Sequence, residues 1–155
     1  MTISLQLLEG TPNPAAPLPH LITGGQPGPD TFRRLAEAGV EVILDIRDPM
    51  EPRPFDEPAL VEELGMRYYN VPVGPGNFDD ERLERILDIL RQEDGRPTLF
   101  HCASGNRVGG AMIAYLMIDK GQSEAEAAAE AMKIGTRSAE VMEWGLSYVQ
   151  RKSEQ

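Results

Sequence analysis

PTLFHCASGNRVGGAMIAYLMIDKG, residues 97–121, is the stretch on which the fold turns. Pro97 to His101 reads as a short buried strand, and Val108 to Lys120 as a helix stopped by Gly121. Between them stands a six-residue loop, Cys102-Ala103-Ser104-Gly105-Asn106-Arg107, which holds the one cysteine of the 155 residues. A strand that feeds a helix directly points the helix's free N–H groups and positive end at whatever the loop contains.

The same alternation repeats on the N-terminal side of this stretch. Val40–Ile46 is β-branched and apolar, a strand preceded by a short helix over Asp30–Ala38 and followed by a proline-rich loop, Arg47–Pro54, and a helix near Pro58–Leu64. Arg67–Val73 is a second strand, and residues 80–93 place Leu83, Ile86, Leu87 and Leu90 at helical spacing. All 13 prolines fall at or before Pro97, so the rest can be almost wholly helical, with Ser123 and Glu126 set for a capping box and Ser138 for a last cap. Pro12, Pro14, Pro17 and Pro19 make residues 1–19 an extended arm, and residues 20–155 a single α/β domain with a mostly parallel sheet and a helical C-terminal third. Right-handed crossovers then gather Arg47 and Asp48, Gly74–Asp80 and Cys102–Arg107 around one crevice.

Composition narrows the function. Fifteen Lys and Arg against 25 Asp and Glu leave a charge of −10, which argues against nucleic acid or an anionic membrane surface as partner. One cysteine forms no intrachain disulfide, and His20 and His101 do not complete a zinc set, so no metal or other cofactor is expected. No apolar run is long enough to span a bilayer, and the N-terminus lacks the marks of a signal peptide, so a cytoplasmic protein is the expectation. Gly109-Gly110 reads as close helix packing rather than a nucleotide-binding turn. Met112, Met117, Met132 and Met142 read as core, while Trp144, Leu146 and Tyr148 suit either a fold-covering face or a dimer face, leaving the oligomeric state open.

The cysteine loop carries the chemistry. Keeping a thiol ionised well below its ordinary titration range takes ~4 kcal/mol. A helix end supplies ~0.3 to 2 kcal/mol of this, so N–H bonds to the sulfur, at ~1.5 to 3 kcal/mol each, and a nearby cation must supply the remainder. Ala103, Ser104, Gly105 and Asn106 offer the amides, Gly105 lets them converge, and Arg107 presents a planar fork to an oxyanion. Cys102 could also be a small buried hydrophobe, and His101 either a satisfied core histidine or a group that orients the loop.

The segments Leu21–Pro27 (LITGGQP), Val42–Arg47 (VILDIR), Tyr68–Val73 (YYNVPV) and the His-Cys…Arg loop resemble the bacterial phosphatase-like domain related to cysteine-dependent tyrosine and dual-specificity phosphatases, over roughly residues 18–135. The resemblance implies a phosphatase-like fold, Cys102 as nucleophile and Arg107 as anion clamp. Three departures stand out. That superfamily separates the cysteine and arginine by five residues, whereas four stand here, which is the spacing of rhodaneses; the segment Asp45–Glu51 (DIRDPME) of this chain also resembles theirs, although the rhodanese GHIxGA segment is absent. Val108 stands where phosphatases carry Ser or Thr. The family's general acid falls near Gly74, where only Asp79 and Asp80 lie close, and these read more simply as helix cap and first-turn charge.

Sulfur transfer needs no proton donor, because sulfite leaves as a stable anion. The leading expectation is therefore a sulfurtransferase on a phosphatase-like fold, Cys102 carrying a persulfide from a small anionic donor to a thiol acceptor, with Arg47 as a second cation. The alternatives are a phosphatase on a phosphate ester with Asp79 or Asp80 as a displaced acid, and a non-catalytic anion-binding module.

Overall fold

The structure, a computed structural model, describes residues 3–155. Five short strands form the sheet: β1 (Ala15–Leu18), β2 (Leu21–Gly24), β3 (Val42–Asp45), β4 (Arg67–Asn70) and β5 (Thr98–His101). Their order is β1-β2-β5-β3-β4, with β1 antiparallel at one edge and the other pairings parallel. The helices are α1 (Pro29–Glu37), α2 (Glu57–Glu63), α3 (Asp80–Gln92), α4 (Asn106–Ile118), α5 (Glu124–Ile134) and α6 (Ala139–Ser153).

Side chains alternate across the strands and so build two cores. Ile22, Ile43 and Leu99 point to the face covered by α1 and α2, with Phe32, Leu35 and Val61. Leu21, Leu44 and Phe100 point to the other, against Leu83, Ile86 and Leu87 of α3 and the apolar length of α4. The next residues along β3 and β5, Asp45 and His101, are register partners and fall on the α2 side.

The proline-rich arm is where the sequence reading needs correcting. Ala15–Leu18 is extended, as expected, but it is paired with β2, and Pro17 sits there because an edge strand tolerates a missing N–H. Ahead of it a 3₁₀ turn, Leu5–Leu8, buries Leu8 completely under the α1 face. The first turn of α4 also begins two residues earlier than expected, so Arg107 is helical. Met132 is 62% exposed and is not core, whereas Met112 is fully buried.

Helix α4 is buried over most of its length because α5 and α6 close on it through glycines. A Cβ on Gly109 would lie 1.8 Å from Thr136 Oγ1, one on Gly110 2.5 Å from Val141 Cγ1, and one on Gly145 2.2 Å from the Gly110 carbonyl oxygen. Trp144 and Tyr148 pack into this same core. The capping box at Ser123 and Glu126 forms as the sequence predicts.

Candidate active site

Strand β5 ends at the middle of the sheet, and the cysteine loop leaves it between the ends of β2 and β3. Cys102 is fully buried, and its Sγ accepts the Gly105 N–H at 3.1 Å. Closing the loop this tightly requires Gly105 at φ +96°, and a Cβ there would meet the Ile134 carbonyl oxygen at 2.5 Å, so glycine is needed twice over.

Three loop carbonyls are turned away from the sulfur and anchored. The Cys102 carbonyl faces His101 Nδ1 at 3.1 Å, the Ala103 carbonyl accepts the Gln26 N–H at 2.9 Å, and the Ser104 carbonyl accepts Asn13 Nδ2 at 2.7 Å. In a trans peptide the C=O and the following N–H point in opposite directions. Anchoring those carbonyls outward therefore aims the N–H groups of Ala103, Ser104 and Gly105 inward, a geometry of the kind that can cradle an anion. At the loop's far end, the Asn106 side chain caps the Arg137 and Ser138 amides, tying the cradle to the start of α6.

Arg107 is held by one edge of its guanidinium. Nη1 donates to the Val73 carbonyl and to Glu51 Oε2, both at 2.8 Å, and Nη2 donates to Glu51 Oε1 at 3.0 Å. Burial works against its charge, but Glu51 and the neighbouring Cys102 sulfur outweigh burial and raise its titration. Burial likewise opposes the Glu51 charge, yet Arg107, the Asp48 N–H and Arg47 bring its carboxyl down to about 2. Glu51 is therefore an ionised brace for Arg107 at any working pH and has no proton to give.

Behind the loop lies a buried ion cluster. His101 Nε2 donates to Glu57 Oε2 at 2.7 Å; with Nδ1 donating to the Cys102 carbonyl, both ring nitrogens carry protons. Burial opposes that charge, and Glu57 and Asp45 more than restore it, so His101 titrates above its ordinary range. Glu57 is held low despite burial, chiefly by His101, whereas Asp45 is pushed up because burial dominates its surroundings. Asp45 is engaged on both oxygens: Oδ1 takes the Arg47 N–H at 2.9 Å, and Oδ2 takes Arg53 and the Tyr68 hydroxyl, the latter at 2.6 Å. The carboxylate and imidazole atoms of Asp45, Glu57 and His101 lie close enough to suggest a metal cage. Arg53 supplies the cation instead, leaving two positive and two negative side chains, so the donors are already used within the protein.

Several expected site residues sit elsewhere. Arg47 is no second anion clamp: its guanidinium is spent on Gln26, Glu51 and the Pro52 carbonyl, which pin the loop after β3. Asp79 caps α3, accepting the Arg82 N–H at 2.9 Å and pairing with the Arg82 guanidinium at 2.6 Å, and Asp80 pairs with Arg151. Neither aspartate lines the hollows at Arg107. The residues that sequence reasoning missed are Asn13, Gln26, Glu51, Glu57, Arg53 and Tyr68. Gln26, Glu51 and Tyr68 lie within segments that carry the resemblance, Leu21–Pro27, Asp45–Glu51 and Tyr68–Val73, but nothing local assigns them a role, and Asn13, Arg53 and Glu57 lie outside those segments.

Two hollows open at Arg107. One, about 580 Å³, runs along Asp48, Glu51, Pro52, Gly74 and Pro75; the other, about 340 Å³, along Ser104, Asn106, Phe78 and Glu140. Among the described residues, no helix is long and apolar enough to cross a membrane.

A family profile described as DSP-PTPase phosphatase fused to NAD+ kinase matches residues 15–145. Curated proteins return no match. Among solved structures, a DUF442 protein from Shewanella putrefaciens CN-32 is 23% identical, with 96% of this chain and 98% of that one covered at a TM-score of 0.78. Tk-PTP in its active form is 21% identical, covering 90% and 98% at 0.78. TpbA from P. aeruginosa, in complex with pTyr, is 20% identical, covering 96% and 94% at 0.65. At these identities the likeness is one of fold.

Proposed function

Because the chain belongs to the family described as DSP-PTPase phosphatase fused to NAD+ kinase, we propose that it is a cysteine-dependent phosphatase with Cys102 as its nucleophile. The observation that carries this reading is the loop: three of its carbonyls anchored outward, the Gly105 N–H donated to the sulfur, and Arg107 braced beside it by Glu51. The Cys102 thiolate attacks phosphorus, the bond to the leaving oxygen breaks, and the phosphoryl group rests on sulfur. Water then attacks phosphorus, releasing inorganic phosphate and restoring the thiolate. Arg107 and the loop amides bind the three non-bridging oxygens as their charge builds.

Proton supply distinguishes this site. Glu51 is ionised and Asp79 is engaged with its own helix, so esters whose leaving group needs a proton least should react fastest. Aryl phosphates are the substrates to try first, and alkyl phosphates should lag by ~10²- to 10⁴-fold, the span a general acid supplies. Family membership supports phosphoryl over sulfur chemistry, displacing the sulfurtransferase as the leading reading. The four-residue spacing between Cys102 and Arg107 still favours sulfur transfer as the second reading.

One comparison separates the two. Purified protein and Cys102→Ser are assayed on p-nitrophenyl phosphate and on thiosulfate plus glutathione. Phosphate release abolished by the substitution is the expected result; sulfite formation without phosphate release reverses the assignment.

A further inference from the structure

The hollow that joins Arg107 to Glu140 does not end there. It shares Phe78 and Glu140 with a further hollow of about 450 Å³, lined by Glu143, Trp144, Ser147 and Arg151. Together they make one furrow that leaves the cysteine loop and runs down α6. Its floor is aromatic, Phe78 meeting Trp144 edge-on with ring centroids 5.3 Å apart. Its wall is acidic. Glu140 and Glu143 are exposed, and among the described residues Glu140 makes no ion pair, while Glu143 accepts only the Ser147 hydroxyl, at 2.5 Å. The one cation on the wall, Arg151, is neutralised by Asp80.

We propose that this furrow binds the chain of a phosphorylated peptide that carries basic side chains beside its phosphorylated residue. The proposal rests on the phosphatase reading for the phosphoryl end and extends it to the rest of the substrate. The charge pattern decides the class of ligand: the cationic clamp at Arg107 passes directly into an acidic wall, so the complement is an anion followed by cations. A net charge of −10 adds to this, since a phosphate ester with no positive group approaches against the field of the whole molecule. The length matches a peptide as well. Glu140, Glu143, Ser147 and Arg151 span three helical turns, ~16 Å at 1.5 Å per residue. An extended chain covers that in about five residues.

The test uses phosphotyrosine peptides with Lys, or Glu, at the second to fifth positions on either side of the phosphotyrosine. Affinity for Cys102→Ser is read by fluorescence anisotropy at low salt, and turnover of each peptide by the wild type. Lys peptides on one side should bind and react better than their Glu counterparts by about 1.4-fold to fivefold per contact, the range of an exposed ion pair. Glu140→Gln with Glu143→Gln should erase that preference. Equal affinity for Lys and Glu peptides, a preference that survives the double substitution, or phosphotyrosine alone binding as well as the Lys peptides would each overturn the proposal. The last of these outcomes would identify the occupant as a small ester. Selective binding without wild-type turnover would uphold the furrow and overturn the phosphatase reading instead.

Discussion

Glu57 lies 45 residues before the nucleophile, and its carboxylate reaches the loop through two side chains: Oε2 meets His101 Nε2 at 2.7 Å, and Oε1 accepts Gln26 Nε2 at 2.6 Å, Gln26 in turn donating its backbone N–H to the Ala103 carbonyl. In Glu57→Gln the buried imidazolium loses its main partner, and removing one member of a buried pair costs about 3 to 5 kcal/mol. Urea unfolding should show a loss of that size. The pH dependence has a definite sign. His101 titrates higher in the folded chain than its ordinary value, so its contribution is whole below about pH 6.5, the unfolded value, and is lost as pH rises through the folded one. Wild-type stability should therefore contain a component that declines on the alkaline side, and Glu57→Gln should flatten it. Asp79 gives the opposite case. Asp79→Ala should cost about 1 kcal/mol as a lost helix cap and leave p-nitrophenyl phosphate turnover within a few fold of wild type. A drop of ~10² or more would make Asp79 the general acid after all.

Among the elements, α4 is the one that carries the site, and its position depends on small residues. Gly145→Ala would drive a methyl into the Gly110 carbonyl, 2.2 Å away on a neighbouring helix, with no flexible side chain to yield. Overpacking of this kind costs about 1 to 3 kcal/mol or more, so Tm should fall by several degrees in a thermal melt. The pair Gly109-Gly110 could be read as a packing signal in the sequence, but its partners, Thr136 and Val141, lie on segments whose angle to α4 no periodicity reports. Helix positions were legible because apolar spacing and caps are local: Leu83, Ile86, Leu87 and Leu90 form a buried stripe, and Ser123 with Glu126 caps its helix. The arm before β2 was not, because prolines signal extended backbone without saying what it pairs with.

For the whole molecule, the excess of acidic residues opposes the approach of any anion, while on the proposed reading Arg107 and the loop amides attract it at short range. Salt separates the two ranges, since the Debye length falls from about 30 Å at 10 mM to about 10 Å at 0.1 M. Over that interval KM for p-nitrophenyl phosphate should decrease while kcat stays nearly constant. An increase in KM would mean that the local clamp, rather than the net charge, dominates approach.

The α/β alternation, the place of Cys102 between a strand and a helix, and that of Arg107 in the same short loop segment are legible in the sequence. Each of these follows from interactions within a few residues: hydrophobic period, helix start and stop, and a glycine in a tight loop. How the loop is held, and which hollows adjoin it, follow from the tertiary structure alone. Asn13, Gln26, Glu51 and Glu57 come to the loop from four separate segments, and Phe78, Glu140 and Glu143 from two more. They meet because the strand order sets β5 between β2 and β3, and because α6 closes back over α4. A polar side chain's partner across such distances is chosen by the packing of whole elements, which local patterns in the chain do not encode.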